Sequence, residues 1–140
     1  MIWAFTRELE YLKLVMTKNK ICRVEREDKM THKMNIWDES FIKIKNKTKT
    51  IEMRLYDEKR SLISIGDIIG FINTKTNEVL ECVVVNLYKY KDFYELYKHH
   101  NKISIGYSED EIANPNDMLT YYSAENINRY GVLGIEIAIK

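Results

Sequence analysis

Four segments of the chain carry the hydrophobic pattern of β-strands. In residues 50–55 apolar and polar residues alternate, so Ile51, Met53 and Leu55 would share one face of a sheet while Glu52 and Arg54 lie on the other. The other three predicted strands are Ile68–Asn73, Val79–Tyr90 and Val132–Ile139. Residues 82–85 form a continuous apolar run, which predicts that the centre of the third strand is buried.

Short helices are predicted between the strands from signals at their N-termini. The predicted helices cover residues 38–45, 93–98, 115–121 and 124–129. Acidic residues favour the first turn of a helix that opens at Asp38, Asp92 has capping-box spacing, and Ser123 is a suitable N-cap. Capping-box spacing recurs at residues 108–111, and residues 74–77 have the composition of a hairpin turn. These elements predict an α+β domain with four or five strands, an order that suits a small, partly closed barrel.

The length and composition are those of a soluble globular domain. The chain has 140 residues, of which 45% are hydrophobic and 31% charged. No run of about 18 apolar residues is present, so no segment is predicted to span a bilayer. Arg7 and Glu8 lie where a signal peptide needs its apolar stretch, so we expect a cytoplasmic protein. In that compartment Cys22 and Cys82 are expected to be reduced, with Cys82 buried as a small hydrophobic residue.

Residues 1–33 differ from the rest of the chain and leave two interpretations open. Residues 7–16 have the pattern of a short amphipathic helix, and the strongly charged residues 23–29 follow it. The segment is either an N-terminal arm that packs on the domain or on a partner, or an upstream extension of a protein that starts at Met30 or Met34. Both interpretations place the domain at residues 34–140.

Charge is segregated along the sequence. Residues 43–60 contain seven basic and three acidic residues, whereas residues 61–140 contain seven basic and eleven acidic ones. Positive charge beside a cleft would favour a ligand that carries phosphate. The same composition also fits a solvated helix and turn rich in lysine, so charge alone leaves both interpretations open.

Motifs argue against metal, cofactor and two common catalytic sites. The histidines are His32, His99 and His100, and adjacent residues on a helix point about 100° apart, so His99 and His100 cannot easily share an ion. No HExxH, P-loop, G-x-G-x-x-G or G-x-S-x-G motif is present. We therefore predict no metal and no cofactor, and expect His99 and His100 to end a helix, where positive charge is favourable.

The most informative motif lies where the first helix gives way to the first predicted strand. Lys49, Glu52 and Arg54 match the K-x-x-E-x-R core of the G-x-K-x-x-E-x-R signature, and in this feature the chain resembles the ASCH domain family. Lys49 has the wrong parity for the charged face, but a turn at the start of the strand could bring it there. The signature's glycine is replaced by Lys47, so we expect Asn46 to take any left-handed position in the turn.

The resemblance extends from about Met34 to Lys140. Residues 41–44 look like the short helix before the signature, residues 66–71 resemble the family's G-D-x-I-x-F strand entry, and residues 121–125 and 130–137 resemble the closing helix and strand of bacterial stand-alone members. The resemblance implies an α+β, PUA-like fold: a mixed, partly closed β-barrel with short helices between the strands.

The resemblance also implies where a ligand would bind. The ligand-binding candidates are Lys47, Lys49, Glu52, Arg54, Tyr122 and Ser123, of which Lys49, Glu52, Tyr122 and Ser123 are candidates for catalysis. An arginine suits a bidentate contact with a phosphate or a base edge, a glutamate can orient it, and a lysine supplies a compact charge or, with its pKa lowered by burial, a base. The alternative is that the three charged residues form a closed structural ion network.

Three functions are compatible with these features. The first, which we expect, is binding of RNA or of a nucleoside or nucleotide in a basic cleft. The resemblance implies association with RNA, and some of the ten tyrosines could stack on bases, although tyrosines in the core are commoner.

The second function is hydrolysis of a modified nucleoside or of single-stranded RNA. Relatives that deacetylate N4-acetylcytidine use a threonine where this chain has Glu52, which counts against the same mechanism. The third is an interaction protein whose N-terminal helix recruits a partner. No membrane partner is predicted, and the oligomeric state stays open.

Overall fold

Five strands form one curled sheet in the part of the chain that the computed structural model describes, residues 28–140. The strands are β1 (Thr31–Ile36), β2 (Ile51–Leu55), β3 (Ile68–Asn73), β4 (Val79–Tyr90) and β5 (Val132–Ile139). Their order across the sheet is β1-β3-β4-β5-β2; β1 and β3 are parallel and all other pairs antiparallel. The sheet is a half-barrel, which confirms the predicted α+β fold with a partly closed barrel.

Short helices connect the strands at the places where the capping signals predict them. They are α1 (Asp38–Lys45), α2 (Phe93–His99) and α3 (Ala124–Tyr130), with 3-10 helices at Arg60–Leu62 and Pro115–Thr120. The Asp92 carboxylate accepts a hydrogen bond from the backbone N–H of Glu95 at 3.0 Å, and the Ser123 hydroxyl accepts one from that of Asn126 at 3.1 Å. Both N-caps are therefore confirmed.

The first strand was not predicted from the pattern. In β1 only Met34 and Ile36 are buried, so its apolar signal is two residues long. The strand begins at Thr31, within the segment predicted as an arm. The predicted helix at residues 7–16 and Cys22 lie outside the described residues, so the predictions about them stay predictions.

The capping-box spacing at residues 108–111 does not start a helix. The Glu111 carboxylate accepts a hydrogen bond from the Ser108 backbone N–H at 2.6 Å, which closes a single turn. The helix does not continue because Pro115 disfavours a helical conformation at Asn114, and because Ile112, which is 88% exposed, buries little apolar surface. The spacing gives the local contact without the apolar face that a helix needs.

Two apolar clusters cover the two faces of the sheet. The inner cluster includes Phe41 of α1, Phe71 and Ile135, while the outer cluster includes Phe93 and Leu96 of α2. In the pairing of β2 with β5, Glu52 lies opposite Ile135 and Arg54 opposite Leu133. Directly opposite residues share a face, so both charged side chains of β2 point into the half-barrel, next to its apolar core.

Asp67 holds the N-terminal strand to the sheet. Its carboxylate is fully buried and accepts hydrogen bonds from the backbone N–H groups of Met30 (3.1 Å) and Ser64 (2.9 Å) and from His32 Nε2 (2.8 Å). Gly66, with a φ of +94°, makes the left-handed turn that precedes it. The predicted strand entry at residues 66–71 is thus the anchor of β1.

Two further predictions concern single features. Cys82 is a free, fully buried residue, and burial raises the pKa of its thiol to about 11. No helix within residues 28–140 has both the length and the apolar character needed to cross a membrane.

Candidate functional site

The turn before β2 uses Lys47 in the left-handed conformation. Lys47 has a φ of +70°, whereas Asn46 has a φ of −89°, so the expectation that Asn46 takes this position was wrong. Asn46 acts through its side chain, whose Oδ1 accepts a hydrogen bond from the backbone N–H of Thr48 at 3.1 Å. Lys47 stands where the signature has glycine, which gives a physical reason for that glycine.

Lys49, Glu52 and Arg54 form one ion-paired group, which we call the ionic triad. Lys49 Nζ lies 2.8 Å from Glu52 Oε1, and Arg54 Nε donates to Glu52 Oε2 at 2.7 Å. The side chains are 8%, 6% and 14% exposed, respectively. The turn therefore does bring Lys49 to the charged face of β2, and Glu52 bridges the two cations.

Arg54 also joins the two edges of the half-barrel. Its Nη2 donates at 2.9 Å to the backbone carbonyl of Asn35 on β1, and β1 and β2 are the two edge strands of the sheet. An exposed strand edge offers unpaired carbonyl groups, and Arg54 satisfies one of them. The triad thus lies at the open seam of the half-barrel.

The pKa values within the triad follow from burial and mutual attraction. Burial favours the neutral form of Glu52, but Lys49 and Arg54 outweigh it and lower the pKa of Glu52 from 4.5 to about 2. Burial also works against the charge on Arg54, and the Glu52 carboxylate outweighs it, so the pKa of Arg54 is raised. At neutral pH Glu52 is therefore held as a carboxylate and Arg54 as a cation.

A loop after α2 closes over Lys49. Gly106 has a φ of +117°. A Cβ atom at this residue would lie only 3.3 Å from Lys49 Cδ, so any side chain there would press on the lysine. Lys43 Nζ donates to the Gly106 carbonyl at 2.7 Å and holds the loop in place. Lys49 Nζ also donates to the Ser40 hydroxyl at 3.2 Å.

The triad lines a cavity of about 750 Å³ at the seam, which we call the seam cavity. Its lining includes Trp37, Ser40, Tyr107, Tyr121 and Tyr122 as well as the triad. Trp37 is 67% exposed and Tyr121 56% exposed, so two large aromatic faces are available to solvent there. Such a cavity has the size of a small-molecule site.

The charged residues that line the seam cavity differ from those expected of a basic cleft. Within residues 28–140, two basic side chains (Lys49, Arg54) and four acidic ones line it. The acidic ones are Glu39, Glu52, Glu111 and Asp117. Positive charge is confined to the triad, and the other charged groups are negative.

Tyrosines form one wall of the cavity. The Tyr122 ring stacks on Phe93 at 6.0 Å between centroids, and burial raises the pKa of its hydroxyl although Arg54 acts to lower it. Tyr97 and Tyr107 join their hydroxyls at 2.9 Å, and Tyr107 donates to Asp117 at 2.7 Å. At neutral pH these phenols stay protonated and can act as hydrogen-bond donors.

Comparison with protein families identifies the domain. The model of the ASCH domain matches residues 34–140. The chain belongs to the ASCH domain family. Its half-barrel is the PUA-like fold of that family, which is often linked to RNA binding.

Solved structures with the same fold include two at 30% identity or above. The hypothetical protein PH0355 has a TM-score of 0.68 at 30% identity over 79% of this chain and 100% of its own. Protein PF0455 of Pyrococcus furiosus has a TM-score of 0.63 at 32% identity over 79% of this chain and 97% of its own. The ASCH protein of Zymomonas mobilis has a TM-score of 0.58 at 15% identity over 79% of this chain and 68% of its own. A search of curated proteins gave no match.

The ASCH domain brings four of the six predicted ligand-binding residues together. Lys49, Glu52, Arg54 and Tyr122 line the seam cavity. Lys47 is exposed in the turn and Ser123 caps α3, so the structure places neither of them in the lining.

Sequence analysis did not select Trp37, Ser40, Tyr107 or Tyr121 as site residues, although all four line the cavity. The one signal in the sequence that could have indicated a site residue was Trp37, a tryptophan directly before Asp38, where α1 begins. Ser40 lies in α1, and Tyr107 and Tyr121 lie in loops, so these three line the cavity only because of how those segments pack in the folded domain.

The histidines and the strand tyrosines lie elsewhere. Tyr88 and Tyr90 share one face of β4, as parity predicts, and both rings contact His100 at 4.8 and 5.7 Å between centroids. His99 is the last residue of α2, as expected. No group of residues that could hold a metal ion occurs within residues 28–140.

Proposed function

We propose that this ASCH domain binds RNA by holding one unpaired nucleotide in the seam cavity. The observation that carries the proposal is the convergence of Lys49, Glu52 and Arg54 on a solvent-accessible cavity of nucleoside size. A closed structural ion network would leave no such access. The family supports the same direction, since its PUA-like fold is often linked to RNA binding.

The triad retains hydrogen-bond donors for a ligand. Arg54 has five N–H donors, and its hydrogen bonds within residues 28–140 use Nε and one N–H of Nη2. Lys49 has three donors, and its ammonium contacts Glu52 and Ser40. Carbonyl and ring-nitrogen acceptors on a base edge match these donors, while Glu52 fixes both cations in position.

Aromatic side chains supply the second half of the recognition. Unpaired bases are commonly held by stacking on aromatic rings, which contributes about 1–3 kcal/mol per base. Trp37 and Tyr121 are the exposed rings of the seam cavity, and Tyr122 is a partly buried one that is held by Phe93. Polar contacts from the triad and stacking from these rings are the two components that base recognition in single strands requires.

The proposal is tested by calorimetric titration with the four ribonucleosides and with short single-stranded RNA. Tyr121→Ala removes a stacking face and is expected to weaken binding by about tenfold or more. Arg54→Lys keeps the charge but loses the planar fork, so it is expected to weaken binding as well. Ile112→Ala is the matched control, because Ile112 is exposed and lies outside the cavity lining. Equal affinity of all four proteins for RNA, or no binding by any of them, would contradict the proposal.

Hydrolysis is the second candidate, and one contact favours it. The Ser40 hydroxyl lies 3.2 Å from Lys49 Nζ inside the cavity, and a serine beside a lysine is an arrangement that can support acyl transfer. Against it, Lys49 is ion-paired with Glu52 and donates to Ser40, which does not activate the hydroxyl. Binding without turnover therefore has the stronger support.

Incubation with N4-acetylcytidine and with a short RNA, followed by mass measurement, separates the two functions. We expect both ligands to be recovered intact. Release of cytidine and acetate, or cleavage of the RNA, that is lost in both Ser40→Ala and Lys49→Ala would instead support hydrolysis.

A further inference from the structure

A second cavity lies against the ends of four elements. It has a volume of about 880 Å³ and is bounded by α3, the 3-10 helix Pro115–Thr120, the end of β4 and the start of α2. Its apolar lining includes Tyr90, Tyr94, Leu119, Ile127 and Tyr130. Tyr94 is 52% exposed and Leu119 50% exposed, so much of this apolar surface is open to solvent.

The charge of this cavity is opposite to that of the seam cavity, and we call it the basic cavity. Its charged lining residues are Lys89, Lys91, Arg129 and Asp92. The three cations are exposed, and none of them has a salt-bridge partner within residues 28–140. Asp92 is engaged as the N-cap of α2. Lys89 and Arg129 rest instead on the rings of Tyr56 and Tyr130, at 4.1 and 5.2 Å from the centroids.

One thin element separates the two cavities. A 3-10 helix has three residues per turn, so Asn116 and Leu119 share a face, as do Asp117 and Thr120. Asn116 and Leu119 line the basic cavity, while Asp117 and Thr120 line the seam cavity. A ligand that crosses this helix would therefore occupy both cavities.

The charges determine which parts of such a ligand each cavity suits. The seam cavity is lined by more acidic than basic side chains, so it suits a base and its sugar better than a phosphodiester backbone. Unpaired cations beside aromatic faces are the usual surface for a single-stranded backbone with its stacked bases. The basic cavity supplies both features within one helix width of the seam cavity.

We propose that the basic cavity binds a nucleotide that flanks the one in the seam cavity, so that the ligand is a single-stranded RNA and not a free nucleoside. The inference rests on the proposed function and adds a second subsite to it. Lys89, Lys91 and Arg129 contact the flanking phosphates, and the Tyr94 ring stacks on the flanking base.

The test compares an RNA with a nucleoside in a charge-deletion variant. Lys89→Ala, Lys91→Ala and Arg129→Ala are combined, and binding of a labelled single strand of about eight nucleotides is measured between 50 and 200 mM salt. We expect the affinity for RNA to fall by roughly tenfold or more, and the slope of log K against log salt to become shallower by about 2. Binding of the best nucleoside is expected to stay unchanged. Lys91→Glu is the second variant and is expected to weaken RNA binding by itself.

The matched control combines Lys33→Ala, Lys75→Ala and Lys140→Ala, three exposed lysines that line neither cavity. RNA affinity equal in the deletion and control variants overturns the inference, as does an RNA that binds no more tightly than its nucleoside. An acidic peptide of equal charge that binds more tightly than RNA also overturns it. If wild-type binding of RNA depends on Tyr121 but not on the basic cavity, the further inference alone fails. If wild-type protein binds neither ligand, the proposed function fails with it.

Discussion

Two buried carboxylates of this ASCH domain, Asp67 and Glu52, have partners of different kinds. Asp67 accepts hydrogen bonds from two backbone N–H groups and from His32, and it lines neither the seam cavity nor the basic cavity. Glu52 pairs with two cationic side chains that face the seam cavity. Backbone partners fix a fold, whereas cations with spare donors can also meet a ligand. The proposed function therefore assigns a structural role to Asp67 and a binding role to Glu52 from their partners, since both carboxylates are buried.

The largest expected effect is the loss of the Asp67 anchor. Asp67→Ala leaves the N–H groups of Met30 and Ser64 without their acceptor and releases β1, so the free energy of unfolding should fall by about 4 kcal/mol. Urea unfolding measures this loss, and Asp67→Asn should give an intermediate value because the amide oxygen keeps part of the contacts. Asp67→Ala should also weaken RNA binding, because β1 carries Asn35 and leads into Trp37 at the seam cavity, whereas Asp67→Asn should bind RNA as wild type does wherever β1 stays paired with β3. A loss below about 1 kcal/mol would show that these hydrogen bonds do not hold the strand.

The second prediction concerns the pH dependence that Glu52 contributes. Because its pKa is lowered from 4.5 to about 2 in the folded protein, its contribution is fully present above pH 4.5 and is lost as the pH falls toward 2. That contribution is about 3 kcal/mol. Glu52→Gln should already be destabilised at pH 7, should lack this part of the pH dependence, and should not bind RNA. Parallel curves of stability against pH for wild type and Glu52→Gln would contradict the account.

The smallest effects concern the left-handed turns before the two carboxylates. Lys47, with a φ of +70°, precedes the triad, and Gly66, with a φ of +94°, precedes Asp67. Lys47→Gly should raise the free energy of unfolding by about 1 kcal/mol, and Gly66→Ala should lower it by about the same amount. Lys47→Ala is the control for the lost charge and should give no gain. If Lys47→Gly and Lys47→Ala had the same free energy of unfolding, the backbone conformation of Lys47 would not be the cause of the gain in stability.

Periodicity predicted most of the fold, because four strands carry long apolar signals that match the sheet. It missed β1, where two buried side chains do not distinguish a strand from a loop. In the site, parity predicted the shared face of Glu52 and Arg54, since both act within a single strand. The lining of the seam cavity could not be predicted, because Trp37, Tyr107 and Tyr121 come from segments far apart in the sequence.

The predicted basic cleft is not confirmed, for a related reason. A count of charges along residues 43–60 ignores their partners in the fold. Lys43 is held by Glu39 and the Gly106 carbonyl, Lys45 by Glu78, and Arg60 by Asp57. Three other cations without a salt bridge within residues 28–140, Lys89, Lys91 and Arg129, line the basic cavity, in the part of the chain whose net charge is negative.

The most direct measurement of the central claim is an NMR titration that follows the side-chain Nε–H signal of Arg54. This N–H donates to Glu52 at the wall of the seam cavity, so a base that binds there must change its surroundings. We predict a saturable shift of this signal on addition of short single-stranded RNA, and in Tyr121→Ala a shift that needs about tenfold more RNA to reach half of its maximum. RNA that binds to the protein while the Arg54 signal stays unmoved would contradict the claim that the triad is the binding site.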